Sequence, residues 1–233
     1  KAGMLMIGAS AIFPYIVSSG LYFAPASDGG VLAPGMLPFW TALAAFLILG
    51  EKLEKVRRTG LLIILIGALM VGLWQIIFNS DEGVWRGHIL FLIGSGLFAI
   101  YSVIFRQSGL TPLHGLLIGL FWGTLFITPI LLLTGRVNFS DVSAFDIGIT
   151  IFIQSFIIGI LATILFNYGV RLIGASEMGA FGALTPILAM IGGILFLNEA
   201  VPVIKMAGIF LVAIGVFLAS GIINQKSYQN QNS

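Results

Sequence analysis

Residues 18–51 read SSGLYFAPASDGGVLAPGMLPFWTALAAFLILGE, and residues 167–199 read NYGVRLIGASEMGAFGALTPILAMIGGILFLNE. The two stretches are versions of one pattern. At an offset of 149 residues, Gly20, Ala26, Ser27 and Gly30 meet Gly169, Ala175, Ser176 and Gly179. After a one-residue gap the offset is 148, and Pro38, Leu47, Leu49, Glu51, Gly60, Ile66 and Gly67 meet Pro186, Leu195, Leu197, Glu199, Gly208, Ile214 and Gly215. Glycine-rich apolar helices align by chance over short pieces. A match that carries a proline and a glutamate across a single gap marks an internal repeat.

The repeat lies in a chain of 233 residues that is 58% hydrophobic and 9% charged. Soluble domains carry roughly 25% charged residues, and a mean hydropathy of +1.09 is more than a water-facing surface permits. These values exclude a soluble enzyme, a disordered protein and a nucleic-acid binder. The net charge of +2 gives no reason to expect a polyanion partner. There is no cysteine, hence no disulfide scaffold and no thiolate metal site. Two histidines and nine carboxylates leave little material for a metal centre, and no cofactor is expected.

A helix needs about 20 apolar residues to cross hydrocarbon. Eight runs qualify, at 2–24, 31–50, 59–78, 87–105, 113–134, 147–170, 178–197 and 203–223, and none has a carboxylate in its middle third. In lipid the backbone must satisfy itself, so runs this long are helices. The fold class is all-α, a polytopic membrane helix bundle. With the loop from Glu51 to Arg58 inside, the inner basic residues are Lys1, Lys52, Lys55, Arg57, Arg58, Arg106, Arg171 and Lys226. The outer ones are Arg86, Arg136 and Lys205. This bias puts the C-terminus in the cytoplasm and predicts a multi-pass protein of the cell membrane, a bacterial inner membrane being the expected one. Five helices separate equivalent positions. An odd number means that the two copies cross the membrane in opposite senses, as inverted repeats do.

The domain division follows. Residues 1–78 hold the last three helices of a first repeat, 79–224 hold five helices of a second, and 225–233 form a polar cytoplasmic tail. The first copy is short by two helices, about 60 residues by the repeat arithmetic. The expectation is therefore eight helices of a ten-helix protein.

A small-residue turn, a helix with a central proline, a terminal Gly-Glu or Asn-Glu and a Gly-initiated helix together resemble the EamA-type repeat of the drug/metabolite transporter superfamily. The carriers are Ala26, Ser27, Pro38, Gly50, Glu51, Gly60 and Gly67, then Ala175, Ser176, Pro186, Asn198, Glu199, Gly208 and Gly215. Asn198 stands where Gly is more typical. The resemblance implies ten helices, a central cavity between the halves, and alternating access without ATP hydrolysis.

Candidate residues follow from polarity inside apolar runs. Pro38 and Pro186 each remove a backbone donor and free a carbonyl one turn back, at Pro34 and Gly182. Their paired occurrence points to gating. Glu51 and Glu199 lie at helix ends on opposite faces, read either as gates or as interfacial carboxylates that organise a turn, with the second reading preferred. A local cation is expected for each, Arg57 or Arg58 for Glu51 and Lys205 for Glu199. Ser155, Gly159, Thr163 and Asn167 form an i+4 stripe, with Ser10, Pro14 and Ser18 as its counterpart. Tyr15, Ser18, Trp40, Tyr101, Gln154, Thr163, Asn167 and Thr185 are the candidate substrate contacts. Gly60 with Gly67, and Gly208 with Gly215, are assigned to helix packing.

The function expected is a secondary transporter, an exporter, of small metabolites such as amino acids or amphipathic compounds. The alternatives are a non-transporting scaffold and a membrane-embedded lipid-modifying enzyme. The enzyme reading needs clustered acid, base or metal groups, and the sequence offers no His/Asp/Glu cluster. An intramembrane carboxylate for proton coupling is likewise not evident in these runs. The expected partners are a small-molecule substrate and the lipid bilayer, with no nucleic acid and a homodimer as the assembly to test.

Overall fold

The computed structural model describes residues 12–78, 83–108, 112–133, 142–162 and 181–221, with Leu165 and Leu172. Hydrocarbon offers no water to peptide groups, so the apolar runs close their hydrogen bonds within helices. All regular structure among the described residues is helical. In chain order α1 is Ile12–Gly20, α2 Ala26–Gly30, α3 Leu37–Leu49, α4 Lys55–Phe78 and α5 Val84–Ser108. There follow α6, Pro112–Leu133, α7, Ala144–Ile151, α8, Leu184–Leu197, and α9, Val203–Ala219. Two segments of wider π type, Val31–Gly35 and Phe152–Ala162, lead from α2 towards α3 and extend α7. The helical stretches Ala26–Leu49, Lys55–Trp74 and Val84–Ile104 are long and apolar enough to cross a bilayer, and shorter apolar helices accompany them.

Burial is distributed as a membrane protein requires. Large apolar side chains point outward: Leu133 is 87% exposed, Phe196 82% and Phe145 73%. The interior holds small residues such as Ala33, Ala42, Ala68 and Val71, together with Ser27, Asp28, His88, Ser95 and Lys205. Lipid tails are as apolar as leucine, so nothing drives leucine inward, whereas small residues permit close packing and polar groups must find each other.

The most extensive helix contact among the described residues joins α4 to α9. A Cβ added to Gly60 would lie 2.7 Å from the Ala219 nitrogen, and one added to Gly67 would lie 2.6 Å from the Gly208 oxygen. From the other side, a Cβ on Gly215 would lie 2.7 Å from the Gly60 oxygen. The helices run antiparallel, with Gly60 against Gly215 and Gly67 against Gly208. Ile64, Val71, Ile209 and Val212 fill the seam between and beside them, each 0% exposed. The small-residue stripes read from sequence thus meet one another, and the four glycines let two backbones touch.

One expectation changes here. The second apolar run, predicted from residue 31, is helical from Ala26 onward. The residues ASDGG looked like a turn, but Pro25 precedes a helix start and the glycines continue it. The prolines keep their expected places: Pro38, second residue of α3, stands midway along the continuous helical stretch Ala26–Leu49, and Pro186 is the third residue of α8.

Candidate functional site

Four helix ends converge opposite the loop from Glu51 to Arg58: the starts of α2, α5 and α9 and the end of α8. The end of α8 is built by sequence. Asn198 adopts a left-handed conformation, φ 52° and ψ 35°, and its repeat mate Gly50 does the same at φ 68° and ψ 21°. Asn tolerates this region where other side chains clash, so the departure from Gly keeps the same cap. The amide of Glu199 then donates to the Gly193 carbonyl at 3.0 Å, and that of Glu51 to the Ala45 carbonyl at 3.4 Å, six residues back in each case. With the left-handed cap before it, each bond satisfies a carbonyl that the helix end leaves free.

Closure sends the Glu199 side chain across to the start of α2. Ala26 N–H donates to Glu199 Oε1 at 2.6 Å and Ser27 N–H to Oε2 at 3.1 Å. A carboxylate thereby satisfies the first free amides of α2 and sits at the positive end of that helix, where charge-assisted bonds are strongest. Gly193 makes the room: a Cβ there would fall 2.9 Å from the carboxylate carbon. The expected pairing of Glu199 with Lys205 is thus replaced by a backbone cap.

Lys205 has another partner. Its Nζ forms an ion pair with Asp28 Oδ1, while His88 Nε2 lies 2.9 Å from Asp28 Oδ2. Asp28 is 0% exposed, Lys205 1% and His88 5%. A carboxylate accepts only, so the ring nitrogen facing it is the donor. The ammonium enters in the first turn of α9, the end of a helix that disfavours a cation. Its position is therefore fixed by Asp28. Removing one member of a buried pair costs about 3–5 kcal/mol, because the other is left charged in the interior. The trio corrects the expectation that no acid and base groups cluster. It also supplies the buried carboxylate that the apolar runs did not disclose. Among the described residues no group of His, Cys, Asp and Glu is arranged to hold a metal ion.

Deeper in the bundle, Ser95 Oγ on α5 donates to the Ala33 carbonyl at 2.7 Å. In an i→i+5 register, the amide missing at Pro38 is the one that would serve Ala33. The carbonyl concerned is Ala33, not Pro34, and a neighbouring hydroxyl takes it. At the second proline the Gly182 carbonyl accepts the Thr185 N–H at 3.1 Å. Trp40 is half-buried beside Gly96, with its indole nitrogen buried and unpartnered. Tyr101 is half-buried, its ring 5.9 Å from Phe98, which lies 4.9 Å from Phe13. Tyr15, Ser18, Gln154 and Thr185 are exposed, and Pro38 and Glu51 half-buried. The structure therefore places Trp40 of α3 against α5, the helix that also carries Tyr101. Thr163 and Asn167 lie outside the described residues. Ser155 is exposed within the π segment, where the i+4 stripe is out of step with the i→i+5 register.

Asp28, His88 and Lys205 were missed because each is a single residue near the end of an apolar run. The available signal was their type: an aspartate followed by two helix-tolerant glycines, and a histidine and a lysine two or three residues into hydrophobic helices.

The EamA-like transporter family matches this chain over residues 85–221, more than half its length. The chain is 28% identical over 213 residues to the uncharacterized transporter YyaM of Bacillus subtilis (strain 168), covering 87% of this chain and 67% of that protein. It is 24% identical over 216 residues to the uncharacterized transporter YetK of the same organism, covering 89% and 63%. The chain thus spans about two thirds of the length of these relatives. No solved structure matches it.

Proposed function

Since the chain belongs to the EamA-like transporter family, we propose that it works as a secondary carrier that exports small metabolites, such as amino acids or amphipathic compounds, by alternating access between two inverted halves. The observation that carries this reading is the pair of polar contacts at one end, both of which cross between the halves. Glu199 of the second half caps α2 of the first, and Lys205 of the second half pairs with Asp28 of the first. Such contacts are strong while dry and are replaced by water once the end parts, as a closure requires.

The α4–α9 seam supports the inverted relation. Exchanging each glycine for its repeat mate exchanges the contact of Gly60 with Gly215 for that of Gly208 with Gly67, so the contact maps onto itself. A tight seam through which both halves touch suits a pivot. By the distribution of basic residues the closed end faces outward, and the state described is closed to the outside. Pro38, just after the π segment, and Pro186, in the first turn of α8, retain a proposed gating role. The reading makes the protein a carrier rather than an enzyme, with the solute and the bilayer as its partners.

The test is flux. Liposomes that hold the reconstituted protein are loaded in turn with labelled amino acids, nucleosides and amphipathic cations. At least one class should leave faster than from protein-free vesicles, saturably. A folded, monodisperse preparation that moves none of them would remove the carrier reading.

A further inference from the structure

Building on the carrier reading above, we propose that Asp28, His88 and Lys205 form a proton-binding site, with His88 Nδ1 as the atom that takes the proton, and that its occupancy releases the closed end. The ring donates from Nε2 to Asp28, so in its neutral form Nδ1 carries a lone pair. That nitrogen is buried and has no partner among the described residues. It faces Gly72 of α4, where an added Cβ would lie 3.9 Å away. Buried polar atoms are nearly always paired, and an exception calls for a reason.

The surroundings decide what a proton would do there. With a neutral ring, Asp28 and Lys205 balance. From α2 only Asp28 faces the ring, and from α9 only Lys205. Glu199 at the end of α8 is committed to the amides of Ala26 and Ser27. No titratable side chain follows Arg58 on α4, the helix that presents Gly72. On α5 itself Arg86 is exposed and lies over the Trp85 ring, and α1 offers only the exposed Tyr15. A proton on Nδ1 therefore adds a second cation beside Lys205 and a new donor with nothing to receive it. Among the described residues only water can satisfy that donor, and water enters only if the end opens. Protonation from the outer medium thus favours the open form. By linkage, opening raises the affinity of the site for the proton by the same factor.

The chain has no cysteine, so one can be placed. Ser27 is 0% exposed and its hydroxyl has no partner, which makes Ser27→Cys a reporter of opening, and Tyr22→Cys, at a position 88% exposed at the same end, the reference for thiol chemistry. Labelling of the full-length protein by a membrane-impermeant maleimide is measured from about pH 8 to about pH 5, the range in which an ordinary imidazole charges. The ratio of Ser27→Cys to Tyr22→Cys labelling should rise about tenfold as pH falls, a typical coupling between linked sites. His88→Gln, which keeps a donor towards Asp28 and cannot take the proton, should hold the ratio low at every pH. A flat ratio in the parent, or an unchanged rise in His88→Gln, overturns the proposal. If His88→Gln fails to give folded protein, 15N chemical shifts of the His88 ring decide. A neutral ring that charges together with opening supports the site, and one that does not titrate over this range overturns it. None of these readouts uses a solute, so absence of flux would count against the carrier reading alone.

Discussion

The two halves meet in two different ways. Along α4 and α9 the contact is backbone on backbone, made by Gly60, Gly67, Gly208 and Gly215 without a polar side chain. At the end where α2, α5, α8 and α9 converge, it is made by Glu199, Asp28, His88 and Lys205. The first depends on many weak dispersion contacts, all lost together once the helices separate by a fraction of an ångström. The second depends on a few strong ones that water can replace. In the cycle proposed above, a seam of the first kind would hold its geometry, and a closure of the second kind would be made and broken.

The largest expected effect lies at the charged end. Asp28→Asn leaves Lys205 charged and buried and should cost about 3–5 kcal/mol in thermal or denaturant unfolding. Adding Lys205→Met should return more than half of that loss. A double variant no more stable than the single one would mean that the pair is not the source of the cost.

The seam should answer more moderately and without recovery by chemistry. Gly67→Ala forces a methyl against the Gly208 backbone, and overpacking of this kind costs about 1–3 kcal/mol. Flux and stability should fall together here. A stability loss with unchanged turnover per folded molecule would separate the seam from the pivot role.

Glu199→Gln keeps one acceptor, turns the other oxygen into a donor that faces an amide N–H, and loses the charge at the start of α2, so its stability cost should be about 1–3 kcal/mol. Labelling of Ser27→Cys should rise at every pH. If labelling is unchanged, the cap is a structural end and not part of the closure. The smallest effects belong to Asn198. Ala in the left-handed position should cost about 1–2 kcal/mol, and Gly should be neutral within about 0.5 kcal/mol. Equal stability of the two variants would show that the left-handed cap does not matter to α8.

The repeat, the helical class and the packing glycines were legible because they depend on periodic residue types. Asn198 and Glu199 were legible as a helix end, while the destination of the carboxylate was not, since the amides of Ala26 and Ser27 lie 173 and 172 residues away. The prolines were placed correctly along the chain but one step off in consequence. The π turn over Val31–Gly35 shifts the orphaned carbonyl to Ala33, and a π turn leaves no distinct trace in composition. The repeat arithmetic also places Arg57 148 residues before Lys205 and Glu177 149 after Asp28, while His88 has no mate within the chain. Glu177 lies outside the described residues.

By itself the sequence determined that the chain lives in a membrane, that it is helical and internally repeated, and where the helices can touch. Those properties follow from local periodicity and from the inability of lipid to solvate a backbone. Only the tertiary structure decided that Asp28, His88 and Lys205 share one site and that Glu199 reaches across to α2. Each of these is a lone polar residue whose neighbours in sequence are apolar. Its partner is chosen by which helix ends arrive at the same place, and that is a property of packing.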